Sequence, residues 1–294
     1  MSASIICFAN IKGGVGKTTL TINVAHTLAE EWEQRVLVVD MDPQINATTA
    51  LLPYAETEKI RRESGSVYGF FSKVDNLRAM DPNLLQPRPV KAAPTGKGFD
   101  LILGSLDTAF LELRLPGEVP GLNINGLKNG LQTGGFLDQY DHILIDTPPT
   151  PSFYLVASLK AASHFAIPTR FDHLSIQGAG LLGRVYQTLR DHRDYAITAK
   201  PLGVILTLMQ NDAQTTQGRE ILEEIRNRAD LGDDFFHLFE GSLPLCAAIG
   251  RAQIEHRLIR ELPPRGPVKK AQTQLLRITN ELSRRLRGSA PVTA

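Results

Sequence analysis

The residues best suited to chemistry lie close to the N-terminus, in the run Lys12-Gly13-Gly14-Val15-Gly16-Lys17-Thr18-Thr19. Glycines tolerate positive φ and let backbone N–H groups come close to phosphate oxygens. A helix opening at Lys17 would aim its positive N-terminal end at the same anion. Lys17 is then placed to reach the β- and γ-phosphates of a nucleotide, and the Thr18 hydroxyl to bind Mg²⁺. Two further sets of carboxylates end apolar runs. Asp40 and Asp42 close VLVVDMD, and Asp146 closes HILID before Thr147-Pro148-Pro149. Acidic groups at such positions suit metal and water handling beside a phosphate.

These groups need elements to hold them. Ser4–Ala9 and Arg35–Asp40 are short apolar runs, the pattern of buried parallel strands. Between them Leu20, Val24, Ala25 and Leu28 fall at helical spacing, so strand, glycine turn, helix and strand form a βαβ unit. Further strands are expected at Phe99–Leu103, Tyr140–Asp146, His164–Pro168, Leu202–Leu208 and within Leu238–Leu245. Helices are expected at Ser175–His192, Gly218–Ala229 and Lys269–Arg287. Pro53–Gly98 has an insert-like composition: a short helix or two, then a loop around Leu85–Gly98. Pro116–Gly135 is rich in glycine and also suggests a loop. The alternation predicts an α/β fold with a doubly wound, mainly parallel sheet flanked by helices. A single domain over residues 1–288 with a flexible tail at 289–294 accommodates all of it.

Composition narrows the classes. The chain has 294 residues, 42% hydrophobic and 21% charged, as ordinary globular proteins do. Cys7 and Cys246 are isolated, with no CxxC or Cys/His cluster, so no metal site is legible in them. The N-terminus lacks a secretory pattern and no apolar run is long enough to span a bilayer, so a cytoplasmic location is expected. The charge is uneven. Residues 251–294 carry ten Lys and Arg against three acids, net +7, and since the whole chain is +1 the rest carries −6. A basic end on an acidic body suits a polyanionic partner.

The pattern G-x-x-x-x-G-K-[ST] is not met, because Ile11 stands where its first glycine belongs. The segment KGGVGKT instead resembles, residue for residue, the deviant Walker A motif of the ParA/MinD family of P-loop ATPases. DMDPQINAT resembles that family's next segment, with Ile45 in place of a glycine, and HILIDTPP resembles its Walker B strand. The likeness covers most of Ile5–Leu286.

The resemblance implies ATP and Mg²⁺ as ligands, with Gly13, Gly14, Val15, Gly16, Lys17, Thr18 and Thr19 holding the phosphates. Thr18, Asp40, Asp42 and Asp146 would serve the metal. Asp42 would position the attacking water, and Lys12 would reach across a two-fold axis to the ATP of a second copy. Thr207, Met209 and Pro244 are the candidates for the adenine pocket. No helix-turn-helix domain fits ahead of Lys12, so the likeness is to short ParA-like partition ATPases. Such a protein would be a homodimer when ATP-bound, bind double-stranded DNA without sequence preference, associate with the nucleoid, and have its weak hydrolysis stimulated by a ParB-like or cargo-adaptor protein. Arg251, Arg257, Arg260, Lys269, Lys270, Arg284 and Arg285 are DNA candidates from charge alone, because MQNDAQTTQ and PLCAAIG lack the basic residues usual there. The alternative is a MinD-like membrane-positioning ATPase, with Lys269–Arg287 as an amphipathic anchor. A relative of the nitrogenase iron protein would need interface cysteines, which Cys7 and Cys246 do not match.

Overall fold

A computed structural model describes residues 2–71, 87–91, 98–109, 123–193, 195–210, 213–214, 216–218, 220 and 234–288. The central strands are β1 (Ser4–Phe8), β2 (Val36–Asp40) and β5 (His142–Asp146). They are flanked by β4 (Gly98–Ile102), β6 (His164–Arg170), β7 (Lys200–Met209) and β8 (Leu243–Pro244). With β3 (Arg88–Lys91) they form one eight-stranded sheet in the order β3-β4-β2-β5-β1-β6-β7-β8. Every pairing is parallel except β3 with β4. Nearly continuous apolar strands are what a parallel sheet covered on both faces requires.

Alternate residues feed two cores. Ile6, Phe8, Val38 and Leu144 point to the face covered by α1 (Lys17–Trp32), through Leu20, Val24 and Leu28. Ile5, Cys7, Leu37, Val39 and Ile145 point to the other face. There they meet α4 (Gly126–Thr133), α6 (Phe153–Ala161) and α7 (His173–Asp191). The short helices α2 (Asn46–Leu51), α3 (Tyr54–Ser64), α5 (Phe136–Gln139) and α8 (Ala247–Ile254) cover the edges and ends. The last helix, α9 (Gly266–Leu286), buries Ala271, Leu275, Ile278 and Leu282 completely, in the same core as α1.

Two segments differ from the sequence reading. The expected loop at Leu85–Gly98 contains β3, an antiparallel edge strand. Pro89 disguised it, since proline is tolerated in strands only at such edges. The glycine-rich stretch up to Gly135 contains α4 instead of continuous loop, and its first residues, 116–122, lie outside the described ones. Here the glycines serve packing. A Cβ on Gly130 would fall 2.1 Å from Phe70 Cδ1, and one on Gly126 would fall 2.6 Å from the Phe70 carbonyl oxygen. The helix expected at Gly218–Ala229 lies, past Glu220, outside the described residues.

Gly130→Ala should therefore destabilise the protein by about 1–3 kcal/mol, although helix propensity alone would favour alanine by about 1 kcal/mol. Urea unfolding of the variant measures the sign, and a stabilised variant would show that Phe70 can simply move aside.

Candidate functional site

The strand register sets the site. Phe8 and Asp40 are both register partners of Asp146, so β1, β5 and β2 end together at the C-terminal edge of the sheet. Open α/β sheets bind ligands outside that edge. A cavity of about 510 Å³ opens there. Its floor is the loop Gly13–Thr19; Asp42, Gln44, Asn46, Thr49 and Ala50 form one side, and Gly250, Gln253 and Ile254 of α8 belong to its lining.

The loop adopts the shape its glycines permit. Gly14 and Gly16 have φ of 70° and 78°, in the left-handed region that a side chain disfavours. Thr207 Oγ1 donates to the Val15 carbonyl oxygen at 2.7 Å and props the loop from below. Asn10 ties the loop to β6: its Nδ2 donates to the Pro168 carbonyl oxygen at 2.7 Å, and its Oδ1 accepts the Lys12 N–H at 3.0 Å. Lys17 is buried, and its Nζ donates to the carbonyl oxygens of Asn10 and Lys12, both at 3.1 Å. Burial lowers the Lys17 pKa, opposed by the charges of Asp146 and Asp42. Lys12 is half-buried at the start of the loop.

The carboxylates divide into distinct roles. Asp146 is fully buried and its Oδ2 accepts the Thr18 hydroxyl at 2.7 Å. Asp42 lines the cavity; its Oδ1 accepts the Gln44 N–H at 2.9 Å and its Oδ2 the Asn46 side-chain amide at 2.8 Å. Of the carboxylates expected on the metal side, only Asp42 lines the cavity; Asp40 and Asp146 lie beneath it. Asp40 Oδ2 accepts the Thr48 N–H at 2.8 Å and hydroxyl at 2.7 Å, and its Oδ1 accepts the Asp42 N–H at 3.3 Å. Asp40 thus anchors the loop that carries Asp42. Burial pushes the Asp40 pKa up to about 7, and burial together with the neighbouring Asp40 charge holds Asp146 well above the carboxylate range.

Ile45, where the resemblance expected glycine, sits at φ 52°, ψ 36°, immediately before α2. A β-branched residue is strained there. Its N–H donates to the Asp42 carbonyl oxygen at 2.8 Å, so the strain lies in the same short loop as Asp42.

The residues present fit a metal-bound polyphosphate. Among the described residues no group of three or more His, Cys, Asp or Glu forms a ready metal cluster. One hydroxyl beside one carboxylate, Thr18 and Asp146, suits Mg²⁺, which keeps several waters and takes oxygens from substrate phosphates. Of the adenine candidates, Thr207, Met209 and Pro244 are all buried and none lines the cavity. The α8 side, with Gln253 Nε2 donating to Thr19 Oγ1 at 2.9 Å, was not expected. AAIGRAQI carries no motif that would have flagged it.

The basic candidates do not form one patch. Arg260 pairs with Glu30 at 3.1 Å and with Glu31, Arg285 pairs with Asp234 at 3.0 Å, and Arg257 donates to the Glu261 carbonyl oxygen at 2.7 Å. Arg251, Lys269 and Lys270 are exposed and Arg284 is half-buried. Lys270 and Arg284 stand about 21 Å apart along α9, at 1.5 Å per residue.

The chain is similar to known proteins in sequence and in fold. A family profile described as an AAA domain matches residues 3–199. The sporulation initiation inhibitor protein Soj of Bacillus subtilis is 31% identical over 224 residues, which cover 76% of this chain and 78% of Soj. Two uncharacterized Mycobacterium tuberculosis proteins are 30% identical over 229 residues, 77% of this chain but 64% of their own length. Among solved structures, an ATP complex of McdA from Cyanothece has a TM-score of 0.72 at 17% identity, covering 100% of this chain and 99% of that one. The pNOB8 ParA bound to nonspecific DNA has a TM-score of 0.69 at 22% identity, covering 98% and 100%. These structural likenesses show the fold.

A pH test follows from the two raised carboxylates. The folded state holds protons that the unfolded chain releases above about pH 4. Their stabilising contribution is complete below that point and is lost as pH rises through the folded-state values. Asp146→Asn, which cannot ionise, should gain melting temperature relative to the parent between about pH 5 and about pH 8 without nucleotide. An offset that stays constant across that range would contradict the raised pKa.

Proposed function

The chain belongs to the AAA-domain family and, within it, to the ParA-like P-loop ATPases, and from that premise we propose that it binds Mg-ATP, pairs with a second copy across the bound nucleotides, and hydrolyses ATP to separate again. The observation that carries this reading is the Thr18 hydroxyl held 2.7 Å from the buried Asp146, beside the left-handed glycines and buried Lys17 of the same loop. Mg²⁺, when bound, would neutralise phosphate charge and polarise the transferred group. Thr18 and Asp146 hold its place. Lys17 and the loop amides orient the phosphates. Asp42 faces the cavity, where it can fix the attacking water. Lys12 supplies its charge to the nucleotide of the second copy, as an arginine finger does, so dimerisation and hydrolysis are coupled.

The same reading makes the protein a partition or positioning ATPase. In the dimer it binds duplex DNA without sequence preference and associates with the nucleoid in the cytoplasm, and a ParB-like or cargo-adaptor partner stimulates its turnover. Residues 1–288 act as one ATPase domain. Of the basic residues, Arg251 and Lys269 are the best placed to meet phosphate, since they are exposed while Arg260 and Arg285 already pair with acids. The membrane-anchor alternative needs the apolar stripe of α9, but Ala271, Leu275, Ile278 and Leu282 are already committed to the core. No helix among the described residues is long and apolar enough to cross a membrane.

Lys12→Gln should fold normally and lose hydrolysis on the order of 10³-fold, the scale on which a charge supplied in trans acts. An unchanged turnover rate would refute the role given to Lys12. In gel shifts on arbitrary duplex DNA, the parent should bind with ATP, not with ADP or without nucleotide, and more weakly as salt rises. Equal binding in all three states would leave an ATPase without the DNA switch.

A further inference from the structure

Asp42 is held by the residues just after it. Its carboxylate oxygens accept the Gln44 N–H at 2.9 Å and the Asn46 side-chain amide at 2.8 Å, and its carbonyl oxygen accepts the Ile45 N–H at 2.8 Å. Both donors to the carboxylate therefore flank Ile45 directly. Gln44 and Asn46 are exposed, so burial fixes neither of them, whereas Ile45 between them is 6% exposed. Each carboxylate oxygen can accept a further bond, so this hold leaves Asp42 able to take a water.

Ile45 also has an unusual backbone. Among the described residues five that are not glycine have positive φ, and Ile45 is the β-branched one of the five. A glycine would take φ 52°, ψ 36° freely, and many other angles as freely. Isoleucine takes them at a cost, which persists only where the surroundings leave no alternative. Those surroundings are the end of β4. The Ile45 side chain seats over Gly104, where an added Cβ would lie 2.8 Å from Ile45 Cγ2 and 2.9 Å from Asp40 Oδ2. The Gly104 N–H donates to Thr48 Oγ1 at 2.8 Å, and that hydroxyl donates to Asp40 Oδ2 at 2.7 Å. The seat is thus tied to the same carboxylate that accepts the Asp42 N–H at 3.3 Å. On the other side, the Ile45 carbonyl oxygen accepts the Thr49 N–H at 2.9 Å and so starts α2.

We propose that Ile45 is a positioning residue for hydrolysis: seated over Gly104, it holds the turn from Asp42 to Asn46 in the one conformation in which Gln44 and Asn46 both donate to the Asp42 carboxylate. The proposal rests on the nucleotide reading above, in which Asp42 fixes the attacking water. Ile45 does not line the cavity, so it acts through Asp42 and not on the nucleotide.

Steady-state ATP hydrolysis by the full chain with Mg²⁺ tests this, together with calorimetric titration of ATP and thermal melting of each variant. Ile45→Gly frees the backbone and removes the seated side chain, Ile45→Ala removes the seated side chain alone, and Ile45→Val keeps both γ carbons. Ile45→Gly should lower kcat by about tenfold or more, the scale on which small misplacements of a reacting group act. KM and ATP affinity should stay within about twofold, as for an interaction felt only in the transition state. Ile45→Ala should fall between, and Ile45→Val should keep kcat within about twofold of the parent. If Ile45→Gly does not melt as a folded protein, Ile45→Ala carries the same comparison. A side chain that merely supports the fold would lower melting temperatures and leave the kcat of the folded protein unchanged. That result overturns the proposal, as does a joint loss of kcat and ATP affinity, or a valine variant as slow as the glycine one. A parent protein that neither binds nor hydrolyses ATP would overturn the nucleotide reading itself.

Discussion

Two carboxylates, Asp40 and Asp146, lie side by side at the ends of adjacent strands with no solvent exposure, and much of the structure answers the cost of keeping them there. Charge buried without compensation is expensive. The protein meets that cost in three ways: hydroxyl and amide donors from Thr18 and Thr48, the Lys17 charge, and raised pKa values that allow protonation. A cation at Thr18 and Asp146 would take over part of that compensation. The strain of the site and its chemistry therefore have one origin, the parallel register that places β2 and β5 end to end in level.

That register also explains the division of labour. Asp40 faces inward and spends its oxygens on Thr48 and the Asp42 amide, while Asp42, two residues later, faces the cavity. The two are linked by a loop whose next turn is forced through Ile45 in a left-handed conformation. Strain at such a place persists only where surrounding structure imposes it. Ile45 is buried, and a Cβ on Gly104 would fall 2.8 Å from its Cγ2, so packing supplies the imposition.

The phosphate loop, the carboxylates and the central strands were legible in the sequence because each is dictated locally. Glycine spacing sets the loop's backbone, and apolar runs ending in aspartate set the strands. What was not legible depends on partners distant along the chain. Gly126 and Gly130 look like turn residues until Phe70 is seen packed against them. Pro89 looks like a breaker until the strand is seen to be an edge. Gln253 lies 234 residues from Thr19, and nothing in AAIGRAQI announces the contact. Thr207, a candidate for the adenine pocket on the resemblance, props Val15 from beneath and does not line the cavity.

The basic C-terminal segment shows why composition alone misleads about partners. Counted as charge, it is a strong polyanion site. In the fold, Arg260 holds α1 through Glu30 and Glu31, Arg285 is paired with Asp234, and the apolar stripe of α9 is spent on the core. Side chains already paired must give up their partners before they can bind phosphate, and that exchange cancels much of the Coulombic gain. The surplus available to a polyanion is therefore smaller than +7 and is carried by exposed residues such as Arg251 on α8 and Lys269 at the start of α9.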